Sequence, residues 1–182
     1  IDNIIIIDDK CPDNSYKKVE NFKKIKIINH TENKGVGGAI ISGYKLALEL
    51  KSDIVVKIDG DGQMNPIYIE SLINKMLNEN ADYVKGNRFI DFKILKIMPK
   101  VRLIGNILLS IIVKIVSGYY KIIDPTNGFT AISRETVEGI LFFNISNRYF
   151  FEIDMLIHLN ILNKKVCDVK IPAIYADEIS NL

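Results

Sequence analysis

The sequence predicts an α/β fold with a Rossmann-like, mostly parallel sheet flanked by helices on both faces. Three observations lead there. Short runs of branched apolar residues recur along the chain, and amphipathic helical patterns separate them. Acidic turns also follow two of the runs, at the carboxyl ends of strands, where open α/β sheets hold their ligands.

Ile4-Ile5-Ile6-Ile7 is an unbroken branched run, as expected of a parallel strand buried on both faces. Ile25-Lys26-Ile27-Ile28 is the next strand. Ala39, Gly43, Leu46, Ala47 and Leu50 then fall at helical spacing. Ile54-Val55-Val56-Lys57-Ile58 is the third strand. After it Asn65 caps a helix, Pro66 occupies its first turn, and Ile69, Leu72, Ile73 and Met76 form its buried stripe. Tyr83-Val84-Lys85 is the fourth strand. Val101 to Ser117 reads as a helix, either buried or lying against a bilayer; it is too short and too charged to span one. A short strand near Phe129 to Ile132, a helix from about Tyr149 to Leu162 and a last strand from Val166 to Ile171 complete the map. No repeat or linker interrupts it, so residues 1–182 are expected to form one domain.

Composition narrows the function. Twenty-four Lys and Arg against 22 Asp and Glu leave a formal charge of +2. That is no basis for a nucleic-acid binder, which displaces counterions with a large positive excess. The 48% hydrophobic content excludes a disordered acidic tail. No apolar stretch reaches the roughly 18–20 residues of a membrane span, and no secretory signal opens the chain. Ile1 already belongs to an apolar run, which suggests a piece of a longer protein. Cys11 and Cys167 are far apart, as are His30 and His158. These four are read as structural, with reduced thiols suited to the cytoplasm.

Two acidic clusters carry the candidate chemistry: Asp8-Asp9, and Asp59-Gly60-Asp61-Gly62-Gln63. Carboxylates one residue apart on a glycine-containing turn can both face a hard divalent cation, Mg2+ or Mn2+. The competing reading is a solvated turn, since Asp and Gly are common turn residues. The stretch Asn33-Lys34-Gly35-Val36-Gly37-Gly38-Ala39 opens a helix and is suited to offering N–H groups to a phosphate, although it matches neither a dinucleotide fingerprint nor a Walker loop.

Taken in order, the motifs resemble family 2 glycosyltransferases of GT-A fold, in the branch of polyprenyl-phosphate mannosyl- and glucosyltransferases. The matching residues are Ile5-Ile6-Ile7-Asp8-Asp9 with Asp13, Asn33-Lys34-Gly35, Asp59-Gly60-Asp61-Gly62-Gln63 with Pro66, and Gly86-Asn87-Arg88-Phe89. They continue with Arg102 and Gly105-Asn106, Asp124-Pro125-Thr126-Asn127-Gly128-Phe129, and Tyr149-Phe150-Phe151-Glu152. The resemblance implies that Asp59 and Asp61 form the DxD metal and donor site, with Gln63 joining the metal, and that Asp9 contacts the nucleoside. It implies that Arg88 and Arg102 hold the acceptor phosphate, for which a guanidinium fork is suited.

The implied reaction is an inverting transfer of a hexose from a UDP- or GDP-sugar to a polyprenyl phosphate. It would take place at the inner face of a membrane, with the protein peripheral to it. A phosphate acceptor is already anionic. A glycan hydroxyl, the alternative acceptor, would need a base; Asp124 leads, for that role or for acceptor positioning, and Glu152 follows. Asp154 lies about 200° from Glu152 around the helix, so the two would not serve one site.

Three departures stand out. Cys11 replaces the Ser of many relatives, and Thr130 stands where mannosyltransferases carry Arg. The opening strand of the family has no counterpart here, so the chain is expected to bind donor poorly by itself. Two other classes compete: a phosphoacceptor receiver using Asp8, Asp9 and Asp59 with Lys85, and a silent α/β binding module.

Overall fold

The computed structural model describes residues 1–88, 100–141 and 143–172, with the side chains of 100–104 and 106 left out. Strand β1 (Ile4–Asp8) pairs in parallel with β2 (Ile25–Asn29), in a register running from Ile4↔Ile25 to Asp8↔Asn29. Helix α1 (Gly35–Glu49) follows, then β3 (Ile54–Lys57), α2 (Ile69–Glu79) and β4 (Tyr83–Asn87). The second half contributes α3 (Lys100–Ser117), β5 (Thr130–Ser133), α4 (Arg134–Ile140), α5 (Phe151–Ile161) and β6 (Val166–Lys170).

The strands form two sheets: β1–β2, and a four-stranded sheet in the order β3-β5-β4-β6. Strand β5 runs antiparallel to both neighbours, while β4 and β6 are parallel. Strands β3, β4 and β6 therefore share one direction, so the sheet is mostly parallel. Helix α1 packs on both β1 and β3 and so ties the two sheets together.

Alternation along the strands separates two cores. Tyr83 and Ile132 face α1, α4 and α5, where they meet Tyr44, Val137, Phe151 and Met155. Val84 and Ala131 point the other way, onto Leu72 and Met76 of α2. Helices thus cover both faces.

The expected elements form, with four corrections. The isoleucines of β1 are not buried on both faces: Ile4 is 45% exposed and Ile5, Ile6 and Ile7 are half-buried, because β2 is the one strand paired with β1 among the described residues. Asn65 does cap, its Oδ1 accepting from Ile67 N at 3.0 Å, but it caps a short 3₁₀ turn, and α2 starts after that turn at Ile69. Helix α4 was not expected; Ser133 marks its start, its Oγ accepting from Thr136 N, and Val137 and Ile140 form its buried side. Helix α3 is not a buried helix. Val113 is buried, but Ile107, Leu108, Ile111, Ile112 and Ile115 are 50–66% exposed.

Candidate functional site

The site grows from one row of residues across three strands. Register places Lys57 of β3 and Lys85 of β4 on either side of Thr130 of β5. Lys85 and Thr130 are buried, and the row faces the first turn of α5, which carries Glu152. Two lysines that flank Thr130 on one face of the sheet, one of them fully buried, demand an anion. Glu152 supplies it: Lys57 Nζ lies 3.0 Å from its Oε1 and Lys85 Nζ 2.5 Å from its Oε2.

Lys57 also reaches Asp59 Oδ1 at 2.9 Å. A continuous chain of charge therefore runs Lys85–Glu152–Lys57–Asp59. Burial alone would raise the Glu152 carboxyl, but the two ammonium groups outweigh it and hold it below the usual glutamate range. Burial would lower Lys57, yet Glu152 and Asp59 lift it above the ordinary lysine value. For Lys85, with no exposure, burial wins and its pKa is lowered.

The turn after β3 presents the acidic pair. Asp61 Oδ1 accepts from Gln63 N at 2.9 Å, and Gly62 sits at φ +77°, which favours glycine. Asp61 and Gln63 are exposed, and Asp59 is half-buried against Gly128. A Cβ on Gly128 would strike Asp59 Oδ2 and Lys57 Nζ, so the glycine of the DPTNGF segment is what lets Asp59 sit there. Among the described residues no cluster of three or more His, Cys, Asp and Glu forms a complete metal site. Two carboxylates on an open turn fit a hard cation that draws its other ligands from water and phosphate oxygens.

The same segment holds Arg88. Arg88 Nε donates to Asp124 Oδ2 at 2.7 Å and Nη2 to Oδ1 at 3.0 Å, while the Arg88 backbone N–H reaches Oδ2 at 3.2 Å. Asn127 ties the segment to β4, donating to Gly86 O at 2.8 Å and accepting from Phe129 N at 3.0 Å. Arg88 and Gln63 line one cleft with Met64, Asn127 and Phe129. The structure thus brings Gln63, Arg88 and Asp124 together, and it joins Asp59 to Glu152 through Lys57. Phe89 and the side chains of Arg102 and Asn106 lie outside the described residues.

Asp9 serves the start of α1. Its Oδ1 accepts from His30 Nδ1 at 2.7 Å and Lys34 N at 2.8 Å, and its Oδ2 from Gly35 N at 2.8 Å. Burial would raise its pKa, but these donors outweigh it and lower it. His30 Nε2 meets Ser42 Oγ at 2.9 Å. The phosphate-cradle reading of residues 33–39 is therefore corrected. Gly37 N and Gly38 N donate to Asn147 O, at 2.9 and 3.3 Å, so these N–H groups are satisfied within the protein. The glycines admit the 146–147 backbone instead: a Cβ on Gly37 would collide with the Ser146 carbonyl oxygen.

The receiver reading fails on Lys85, whose ammonium is bound to Glu152 in the interior. Asp154, as its helical phase required, faces elsewhere and accepts from Ser146 N at 2.7 Å. Cys11 and Cys167 are both free thiols. Sequence reasoning missed the role of Lys57. For Lys57 a signal existed: a lysine inside an apolar strand needs a buried partner. Asn127 stood within the Asp124–Phe129 motif and His30 was read as structural, but their partners Gly86, Asp9 and Ser42 are distant in sequence.

Residues 1–141 match the glycosyl transferase family 2 domain. The UDP-N-acetylglucosamine–dolichyl-phosphate N-acetylglucosaminyltransferase of Methanococcus voltae is 38% identical over 153 residues, 75% of this chain and 61% of that protein. The dolichol-phosphate mannosyltransferase of Pyrococcus furiosus is 30% identical over 160 residues, 82% of this chain and 43% of that protein. The chain therefore spans under two thirds of the length of both relatives. Glucosyl-3-phosphoglycerate synthase of Mycobacterium tuberculosis, solved with Mn2+, uridine-diphosphate and glucosyl-3-phosphoglycerate, superposes with TM-score 0.68 at 17% identity. That alignment takes in 98% of this chain and 62% of that one.

Proposed function

Because the chain belongs to glycosyl transferase family 2, with the GT-A fold, we propose that it moves a hexosyl group from a nucleotide-diphosphate sugar to a polyprenyl phosphate. The observation that carries this reading is Arg88, gripped through two nitrogens by buried Asp124 at a cleft shared with Gln63 of the donor turn. A guanidinium fixed in that way offers a pre-oriented cation for an anionic acceptor.

Both carboxylates considered as bases are committed to cations, Asp124 to Arg88 and Glu152 to Lys57 and Lys85. That favours an acceptor that needs no base. A phosphate oxygen attacks the anomeric carbon from the face opposite the leaving group, the C–O bond to the diphosphate breaks, and the configuration inverts. Asp59 and Asp61, with Gln63, would hold Mg2+ or Mn2+, which supplies charge to the departing diphosphate. Arg102 joins Arg88 on the acceptor, and Asp9, by ordering the start of α1, supports the nucleoside side.

The names of the Methanococcus and Pyrococcus relatives support a polyprenyl-type acceptor. The exposed apolar face of α3 supports a peripheral position on the inner face of a membrane, with the helix lying in the interface. Among the described residues no helix is long and apolar enough to cross a membrane.

The test is a transfer assay on the full-length protein with labelled UDP-glucose, UDP-N-acetylglucosamine and GDP-mannose, with and without polyprenyl phosphate. Label entering lipid in a cation-dependent way is expected. Label entering only a glycan hydroxyl, with polyprenyl phosphate present, overturns the proposal.

A further inference from the structure

Glu152 stands in the sequence as a candidate base, yet its surroundings give it another task. Its two oxygens bind two lysines, one fully buried and one nearly so. Lys57 is the shared element, with Nζ 3.0 Å from Glu152 Oε1 and 2.9 Å from Asp59 Oδ1. The group has two ammoniums and two carboxylates and therefore no net charge. Its backbone anchors are fixed. Strand register fixes Lys57 and Lys85 on either side of Thr130, and Gly128 backs Asp59 with no room for a Cβ.

We infer that Glu152 is a positioning residue for the donor turn: it shares Lys57 with Asp59 and so keeps Asp59 placed, and with enough negative charge, to take a divalent cation. The inference rests on the proposed cation role of Asp59. Without Glu152, Lys57 has Asp59 as its remaining anion in this chain of contacts and Lys85 loses its counter-ion, leaving an uncompensated positive charge beside the turn. Without Lys57 the imbalance is reversed. A charge this close to a cation site and partly shielded from water is felt strongly, whereas surface charges are screened. Thr130 fits the same scheme: a cationic side chain between the two lysines would face them both.

The two single substitutions should act in opposite directions, which a packing role cannot produce. Mn2+ is titrated into the purified protein and the free ion is followed by electron paramagnetic resonance. Wild type, Asp59→Ala, Glu152→Gln, Lys57→Met and the Glu152→Gln/Lys57→Met double variant are compared, with circular dichroism to verify folding. Glu152→Gln is expected to weaken Mn2+ binding about tenfold and Lys57→Met to tighten it, with the double variant returning to within about threefold of wild type.

Equal weakening by both single substitutions, or folded Glu152→Gln binding Mn2+ like wild type, overturns the inference. Loss of kcat in Glu152→Gln with unchanged Mn2+ affinity would make Glu152 a base and overturn it as well. Should Glu152→Gln fail to fold, Lys57→Met decides: tighter binding supports the inference and weaker binding overturns it. Mn2+ affinity unaffected by Asp59→Ala, or absent in wild type, instead overturns the cation assignment beneath it.

Discussion

Arg88 and Asp124 form a two-pronged ion pair, Nε to Oδ2 at 2.7 Å and Nη2 to Oδ1 at 3.0 Å. The carboxylate is buried and the arginine is about one quarter exposed, at 28%. The pair joins the end of β4 to the segment before β5, linking two motifs that are 36 residues apart. It aims a cation into the cleft and occupies both oxygens of its partner.

Asp124→Asn keeps the shape and removes the charge. Because Arg88 is partly solvated, the loss of stability should fall below that of a wholly buried pair, about 2–3 kcal/mol in urea unfolding. The acceptor KM should rise, since the guanidinium is no longer held, while the donor KM stays near wild type. A pure kcat loss with an unchanged acceptor KM would restore Asp124 as a base.

Two glycine substitutions should separate folding from function. Gly37→Ala places a methyl against the rigid carbonyl of Ser146 and should cost about 1–3 kcal/mol of stability. Gly128→Ala presses on the ends of two side chains, Asp59 and Lys57, which can move aside. It should therefore melt close to wild type yet lose most of its Mn2+ affinity. Thermal melts and Mn2+ titration of both variants check this contrast.

Acid should weaken the fold through Glu152. Its folded pKa lies below the ordinary value, about 4.3 for glutamate, near which the unfolded chain titrates. Between those values the unfolded chain binds more protons, so stability falls as pH falls. The contribution is complete above about pH 5 and is lost as pH drops through the folded value. Urea midpoints measured from pH 7 to 3 should fall less steeply in Glu152→Gln than in wild type.

The α3 face should matter to membranes and not to folding. Ile111 and Ile115 are 50% and 66% exposed, so replacing both with Ser removes little buried area. Co-sedimentation with anionic vesicles should drop several-fold, with the melting temperature within a few degrees of wild type. Unchanged sedimentation would remove the membrane role of this face.

Much of this was legible in the sequence. The run Ile4 to Ile7, the turn Asp59 to Gln63 and the stripe Leu72 and Met76 each declare themselves through local pattern, because strand, turn and helix are decided over a few residues. The contacts between motifs were not legible. Lys57 meets Glu152 across 95 residues and Asp9 meets Gly35 across 26, and no local rule brings them together. The glycines of residues 35–38 misled for a related reason. The same composition that suits a phosphate also suits a close backbone approach, and only the position of Ser146 and Asn147 decides between them. The half-exposed β1 was hidden too, since strand burial depends on neighbours that the run itself does not encode.

The identity of the acceptor is tested by steady-state kinetics against polyprenyl phosphate. Full-length wild type and the Arg88→Ala/Arg102→Ala double variant are compared at saturating nucleotide sugar. The acceptor KM should rise at least about tenfold with the donor KM unchanged, in keeping with the loss of charge-assisted hydrogen bonds. Sugar transfer unaffected by the double substitution would contradict a phosphate acceptor.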